Sequence, residues 1–136
     1  MRFVDTNVLL YSISSDPTES NKMLRAVELL SHADLALSVQ VLQEFFVQST
    51  RSGKPGALSG EDALALIDTW LRYPVQETTV ELVRAAGVSA KRWQISYWDA
   101  AIVEAARALG CRQLLTEDLN HHQEFGGVVA VNPFVP

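Results

Sequence analysis

Four carboxylates stand out for where they fall in the chain. Asp5 comes directly behind the apolar run Arg2 to Val4 in "MRFVDTNVLL", and Asp118 closes "QLLTED", a second short apolar run ending in a turn. Either aspartate could simply accept the free N–H groups of a following helix, an ordinary use of a lone Asp at a strand-to-helix turn. Asp99 follows Ser96 by three residues in "SYWDAAIVEAARALG", the spacing of a capping box with Asp in the place of Glu. At about 100° per residue it also shares a face with Ile102, Val103 and Ala106, while Glu104 and Arg107 fall on the other side. A carboxylate turned toward the core is costly unless it is paired or holds a cation. Glu44, in "SVQVLQEFFVQST", lines up with Gln40 and Gln48 opposite the apolar arc of Val39, Val41, Leu42, Phe45 and Phe46. Alone, that pattern describes a solvated helix face. If all four acids met at one place, the chemistry would be cation binding, because ionised carboxylates repel one another and at least one would otherwise take up a proton.

The elements that must position them are legible as an alternation. Arg2 to Val4, Leu35 to Leu37, Val75 to Glu77, Arg112 to Leu115 and Val128 to Val131 have strand length and composition. Helical periodicity covers Asn7 to Ile13, Glu19 to Ser31, Ser38 to Thr50, Gly60 to Arg72, Val80 to Trp93 and Ser96 to Leu109, with Gly110 as a stop signal. "RSGKPGALSG" is a flexible loop. Strands alternating with helices predict an α/β fold with a mostly parallel sheet covered on both faces, whose ligands gather beyond the carboxyl ends of the strands. Asp5 and Asp118 stand at two such ends, and the Glu44 helix begins at Ser38, just past the second strand.

Composition bounds the rest. The 136 residues are 48% hydrophobic and 20% charged, with no repeat and no shift in composition, which predicts one domain over residues 1–136. Eleven Lys and Arg against sixteen Asp and Glu leave a net charge of −5, so a polyanionic partner needs a local basic patch or a bound cation. The one cysteine, Cys111, reads as a small buried thiol in a reducing compartment. No apolar run approaches the roughly 18 residues of a membrane span, and Asp5 and Asn7 interrupt the start too early for a signal peptide. A cytoplasmic protein without a membrane partner is expected.

Taken together, "FVDTNVLLY", Glu44 after the second strand, "YWDAAIVEAA", "LLTEDL" and "VNPF" resemble the PIN-domain ribonucleases, closely the toxin component of VapBC-type toxin–antitoxin pairs. The likeness spans nearly the whole chain and departs at "NHHQEFGG", after Asp118. It implies a three-layer α/β/α domain with about five strands, and an acidic quartet of Asp5, Glu44, Asp99 and Asp118 serving both catalysis and metal binding. It further implies that Thr6, Asn7 and Thr116 shape the pocket, that a cognate antitoxin covers the site, and that the chain forms a homodimer.

The quartet's oxygen ligands, without Cys or a spaced His set, favour Mg²⁺ or Mn²⁺ over Zn²⁺. Such ions lower the pKa of bound water and can clamp the oxygens of an in-line displacement at phosphorus, so phosphodiester hydrolysis of RNA is expected. Asp5 and Asp99 are the first choice for direct ligands, with Glu44 and Asp118 completing the shell. Neutralising the four site charges takes the net charge from −5 to −1. Arg51 and Lys54 in the glycine-containing loop, and Lys91 and Arg92 beside Trp93, are candidate phosphate contacts, with Trp93 as a stacking surface. His121 and His122 read as surface residues, since the quartet needs no added base, and His32 as a partner for a helix C-terminus.

Three other readings compete. A receiver-like phosphotransfer module needs an adjacent acidic pair after the first strand and a late lysine, whereas Thr6 and Asn7 follow Asp5 and no Lys follows Arg92. A haloacid-dehalogenase-type aspartyl phosphatase needs a second Asp where Asn7 stands. A degenerate family member would only bind RNA or a partner, against which the four intact acids argue.

Overall fold

The computed structural model describes all 136 residues. Five short strands form one parallel sheet: β1 (Arg2–Val4), β2 (Leu35–Ser38), β3 (Val75–Gln76), β4 (Gln113–Leu115) and β5 (Val129–Val131). Their order across the sheet is β3-β2-β1-β4-β5. Phe3 of β1 pairs with Ala36 on one side and Leu114 on the other, so β1 is central. The chain winds outward from β1 to β3, then returns to the opposite side of β1 to make β4 and β5. That reversal opens a crevice at the carboxyl ends of β1 and β4, where open α/β sheets bind their ligands.

Six helices cover the sheet: α1 (Thr6–Ser12), α2 (Ser20–Leu29), α3 (Val39–Ser49), α4 (Gly60–Trp70), α5 (Val80–Trp93) and α6 (Tyr97–Ala108). One layer has α1 against α2 and α3, and α3 against α4; in the other, α5 packs on α6, which rests on β2, β3 and β4. Between them lies a continuous apolar core around Phe3, Leu9, Phe45, Leu114 and Phe125, all fully buried. This is the three-layer α/β/α arrangement, with every expected strand and helix present.

Boundaries move where local chemistry intervenes. The helix expected from Glu19 begins as a single 3₁₀ turn, Pro17–Glu19, because Pro17 presets the first turn and Asp16 caps the Thr18 N–H. The fourth helix stops at Trp70 rather than Arg72. The Tyr73 hydroxyl and the Arg72 guanidinium both donate to the Leu30 carbonyl, tying this corner to the end of α2. Gly110 stops α6 as expected, at φ +76, with the Cys111 N–H returning to the Ala106 carbonyl at 2.9 Å. Cys111 is buried.

Glu104 and Arg107, on the side of α6 away from its apolar stripe, are also covered. Residues Ala100 to Ala106 are all buried, because α5 covers the side of α6 that the sheet does not. Glu104 accepts from the Ser89 hydroxyl of α5 at 2.7 Å and pairs with Arg107, whose guanidinium also donates to the carbonyls of Phe125 and Gly126. The pair is a latch joining α5, α6 and the loop before β5.

Candidate functional site

Asp5 has two jobs. It is the N-cap of α1, with Oδ1 accepting the Thr6 N–H at 2.7 Å, and its Oδ2 accepts the Thr116 hydroxyl at 2.8 Å. The capping alternative and the site alternative therefore describe one residue. Only 5% of Asp5 is exposed, and its pKa is pushed up to about 7. Burial is the largest cause, the two hydrogen bonds oppose it, and the nearby charges of Asp118 and Glu44 add to it.

Thr116, fully buried just past β4, is the hub that joins β1 to β4 chemically. Its hydroxyl donates to Asp5 and accepts from the Asp118 N–H at 3.0 Å and from Asn7 Nδ2 at 3.3 Å. Asn7 Nδ2 also donates to Asp118 Oδ2 at 3.2 Å. Asp118 is thereby steered toward the crevice while remaining exposed.

Glu44 reaches the same edge from α3, whose start is fixed by the Ser38 cap on the Val41 N–H. Thr6 Oγ1 donates to Glu44 Oε2 at 3.4 Å and Gln40 Nε2 to Oε1 at 2.8 Å. The polar face of α3 thus looks into the crevice and not into bulk solvent. Gln40 also donates to the Trp98 carbonyl at 3.2 Å, which ties α3 to the first turn of α6. There the Asp99 N–H is capped by Ser96 Oγ at 3.0 Å, and the Asp99 carboxylate is half-buried rather than turned into the core. Its pKa is raised by burial first, opposed by a hydrogen bond from Ser96, and raised further by Asp118. Asp118 is felt by both Asp5 and Asp99, and Glu44 by Asp5, so the four acids share one electrostatic neighbourhood at the carboxyl edge of the sheet.

No three Asp, Glu, His or Cys side chains stand close enough to enclose an ion by themselves. The donor set still suits a hard cation. Every acid offers oxygen, and Asn7 Oδ1 is buried without a hydrogen-bond partner although its own amide nitrogen is engaged. Mg²⁺ keeps several of its waters and uses only one or two direct carboxylates, which matches acids spaced more widely than a closed cage.

The basic candidates divide. Lys54 lines a cleft of about 630 Å³ that starts at Asn7 and includes Tyr11, Asp16 and Glu117. Arg51 stands exposed on the same loop. Lys91 and Arg92 instead line a separate cleft with Arg84, Glu104 and Arg107. None of the four acids lines either cleft, but the first includes Asn7, which is hydrogen-bonded to Asp118. Trp93 is half-buried there, in a T-shaped contact with Phe125 and with Arg92 over its ring at 4.6 Å, so Arg92 already covers one face. His121 and His122 stack on each other at 3.7 Å on the surface, and His121 Nδ1 accepts the Asn132 N–H. His32, just past the end of α2, accepts from the Arg2 guanidinium at 2.7 Å, and its backbone N–H bonds the Leu29 carbonyl at 3.0 Å.

Two contributors escaped sequence reasoning. Gln40 was visible four residues before Glu44 on the same polar face. Trp98 was visible as the immediate neighbour of Asp99, and it is 66% exposed.

A sequence profile of the PIN domain matches residues 2–125. No curated protein matches the chain significantly. Among solved structures, VapC20 of Mycobacterium tuberculosis, described as a sarcin–ricin-loop-cleaving toxin, is 21% identical with a TM-score of 0.67, over 87% of this chain and 92% of that one. A toxin–antitoxin complex from Klebsiella pneumoniae is 15% identical with a TM-score of 0.72, over 98% of each chain. FitAcB from Neisseria gonorrhoeae is 20% identical with a TM-score of 0.64, over 98% of this chain and 99% of that one. Likeness at this level of identity establishes the shared fold.

Proposed function

The chain belongs to the PIN-domain family, and from that premise we propose that it is a metal-dependent endoribonuclease, the toxin half of a toxin–antitoxin pair. The observation that carries the reading is the electrostatic link among the acids. Asp5 is buried and raised to about 7, with Asp118 and Glu44 pressing on it, an arrangement that favours a cation over four free charges.

In this reading Asp5 and Asp99 bind the ion directly. Asp5 is held rigid by Thr6 N–H and Thr116 hydroxyl, yet each of its oxygens keeps a lone pair. Glu44, clamped by Gln40 and Thr6, and Asp118, steered by Asn7, orient water on either side. Bound Mg²⁺ or Mn²⁺ would supply an activated water and offset the charge that builds at phosphorus. No protein nucleophile is needed. The burial of Asp5 and the hydrogen bond on each of its oxygens argue against attack on phosphate, and Asn7 is committed to Asp118 where a phosphatase would place a second acid.

The substrate is RNA, with Thr6, Asn7 and Thr116 shaping the pocket and Arg51 and Lys54 beside its phosphates. The fold's neighbours include toxin–antitoxin complexes, which supports a cognate antitoxin as partner. Self-association as a homodimer and a cytoplasmic setting complete the proposal; no helix is long and apolar enough to cross a membrane. The test compares the parent with Asp5→Asn and Asp99→Asn in cleavage of a mixed RNA pool with Mg²⁺, Mn²⁺ or chelator. Cleavage by the parent that needs metal and disappears in both variants supports the reading. Undiminished cleavage by the variants refutes the site, binding without cleavage by the parent favours the degenerate alternative, and a phosphorylated Asp5 favours phosphotransfer.

A further inference from the structure

We propose that Trp98 is the stacking surface for the RNA base next to the bond that is cut. The inference rests on the ribonuclease reading and adds the residue that selects single-stranded substrate. The chain has three tryptophans, and their environments differ. Trp70 is 4% exposed in the core and Trp93 is half-buried on Phe125, whereas Trp98 is 66% exposed. Leaving an indole in water forgoes the burial that normally recruits this residue type, and its open ring is available for stacking.

Its placement says which ligand. Trp98 directly precedes Asp99 in the first turn of α6. Its carbonyl accepts from Gln40, the amide that also holds Glu44, so the indole's backbone and a site carboxylate are fixed by one side chain. Tyr97 meets the Trp98 ring edge to face at 5.0 Å, which restrains the indole while leaving it accessible. The Trp98 backbone is therefore anchored to the helix that carries Glu44, one residue before Asp99, and its indole is open to solvent. Lys91 and Arg92 lie on another cleft and the chain is acidic overall, so beyond the cation and the Arg51–Lys54 loop of the proposed function, charge adds little to holding a polyanion. Stacking supplies affinity that needs no cation, works on any base with a free face, and is denied to bases already stacked in a duplex.

The test measures binding apart from turnover. Intrinsic fluorescence is titrated with a single-stranded 12-nucleotide RNA and with its duplex, using Ca²⁺ in place of Mg²⁺ under conditions without cleavage, for the parent, Trp98→Phe and Trp98→Ala. Trp70 and Trp93 remain as internal references, and melting temperature and sedimentation are recorded for each protein. The parent is expected to be quenched by the single strand and little by the duplex. Trp98→Ala should bind the single strand about 5- to 150-fold more weakly, the equivalent of the 1–3 kcal/mol that one base stack provides, and Trp98→Phe should retain most of the affinity. With Mg²⁺, Trp98→Ala should raise KM and leave kcat within about twofold. Equal affinity in parent and Trp98→Ala overturns the proposal. So does an unquenched parent whose Trp98→Ala variant merely dissociates from dimer to monomer, since the indole is then a protein contact. A parent that cuts RNA with an indifferent Trp98→Ala variant removes the platform alone, whereas a parent that is quenched but never cuts removes the nuclease reading and keeps the platform.

Discussion

Replacing Asp5 by Asn should make the metal-free protein more stable at pH 8 and leave it nearly unchanged at pH 5. The Asp5 carboxyl rises from an ordinary 3.8 to about 7 on folding, so the folded state favours its protonated form. Between those two values the native protein holds more protons than the unfolded chain, and stability falls as pH rises through the window. The penalty is absent below the unfolded value and complete above the folded one. At 1.36 kcal/mol per pH unit it reaches about 4 kcal/mol at pH 8 and about 1.6 kcal/mol at pH 5. Asn removes the penalty but turns an amide donor toward Thr116 Oγ1, which already accepts from Asn7 and the Asp118 N–H and then loses the acceptor for its own proton. That mismatch costs about 1–2 kcal/mol at any pH. The variant should therefore gain about 2–3 kcal/mol at pH 8 and about zero at pH 5. Urea unfolding in chelator at several pH values measures the difference directly. A constant loss of about 1 kcal/mol across the range would mean that Asp5 is only a helix cap and that the acids do not press on it.

Further outcomes follow from the same contacts. Mg²⁺ or Mn²⁺ should raise the melting temperature of the parent at pH 8 and not that of Asp5→Asn, because only an ion that binds the folded site stabilises it; differential scanning calorimetry reads this. Thr116→Val keeps the shape but strips Asp5, Asn7 and the Asp118 N–H of a shared partner, and should lose about 1–3 kcal/mol of stability together with cleavage, checked by urea melts and an RNA assay. Arg107→Ala strands buried Glu104 and two carbonyls and should lose about 3 kcal/mol, with Glu104→Gln recovering part of it in the double variant; unfolding free energies decide. Gly56→Ala should lose about 1–2 kcal/mol, since Gly56 has φ +74 and a Cβ there meets Ser15 Oγ at 2.8 Å; the urea midpoint of the variant checks it.

What the sequence determined by itself is local. Period-two and period-3.6 patterns mark each strand and helix because side chains alternate on a strand and recur by turns on a helix. That is enough to put Asp5 and Asp118 at strand ends, Asp99 in the first turn of a helix and Glu44 on the polar face of another. The tertiary structure decided what those positions mean. Only the order β3-β2-β1-β4-β5 sets Thr116 beside Asp5, a contact between residues 111 positions apart that no window along the chain contains. The same distant packing buries Glu104 under α5, turns Lys91, Arg92 and Trp93 to another cleft, and leaves Trp98 as the one exposed tryptophan. Periodicity records which face of an element is apolar, whereas the identity of the neighbour covering that face depends on how the whole sheet closes, and that neighbour determines whether a charge is solvated, paired or part of a site.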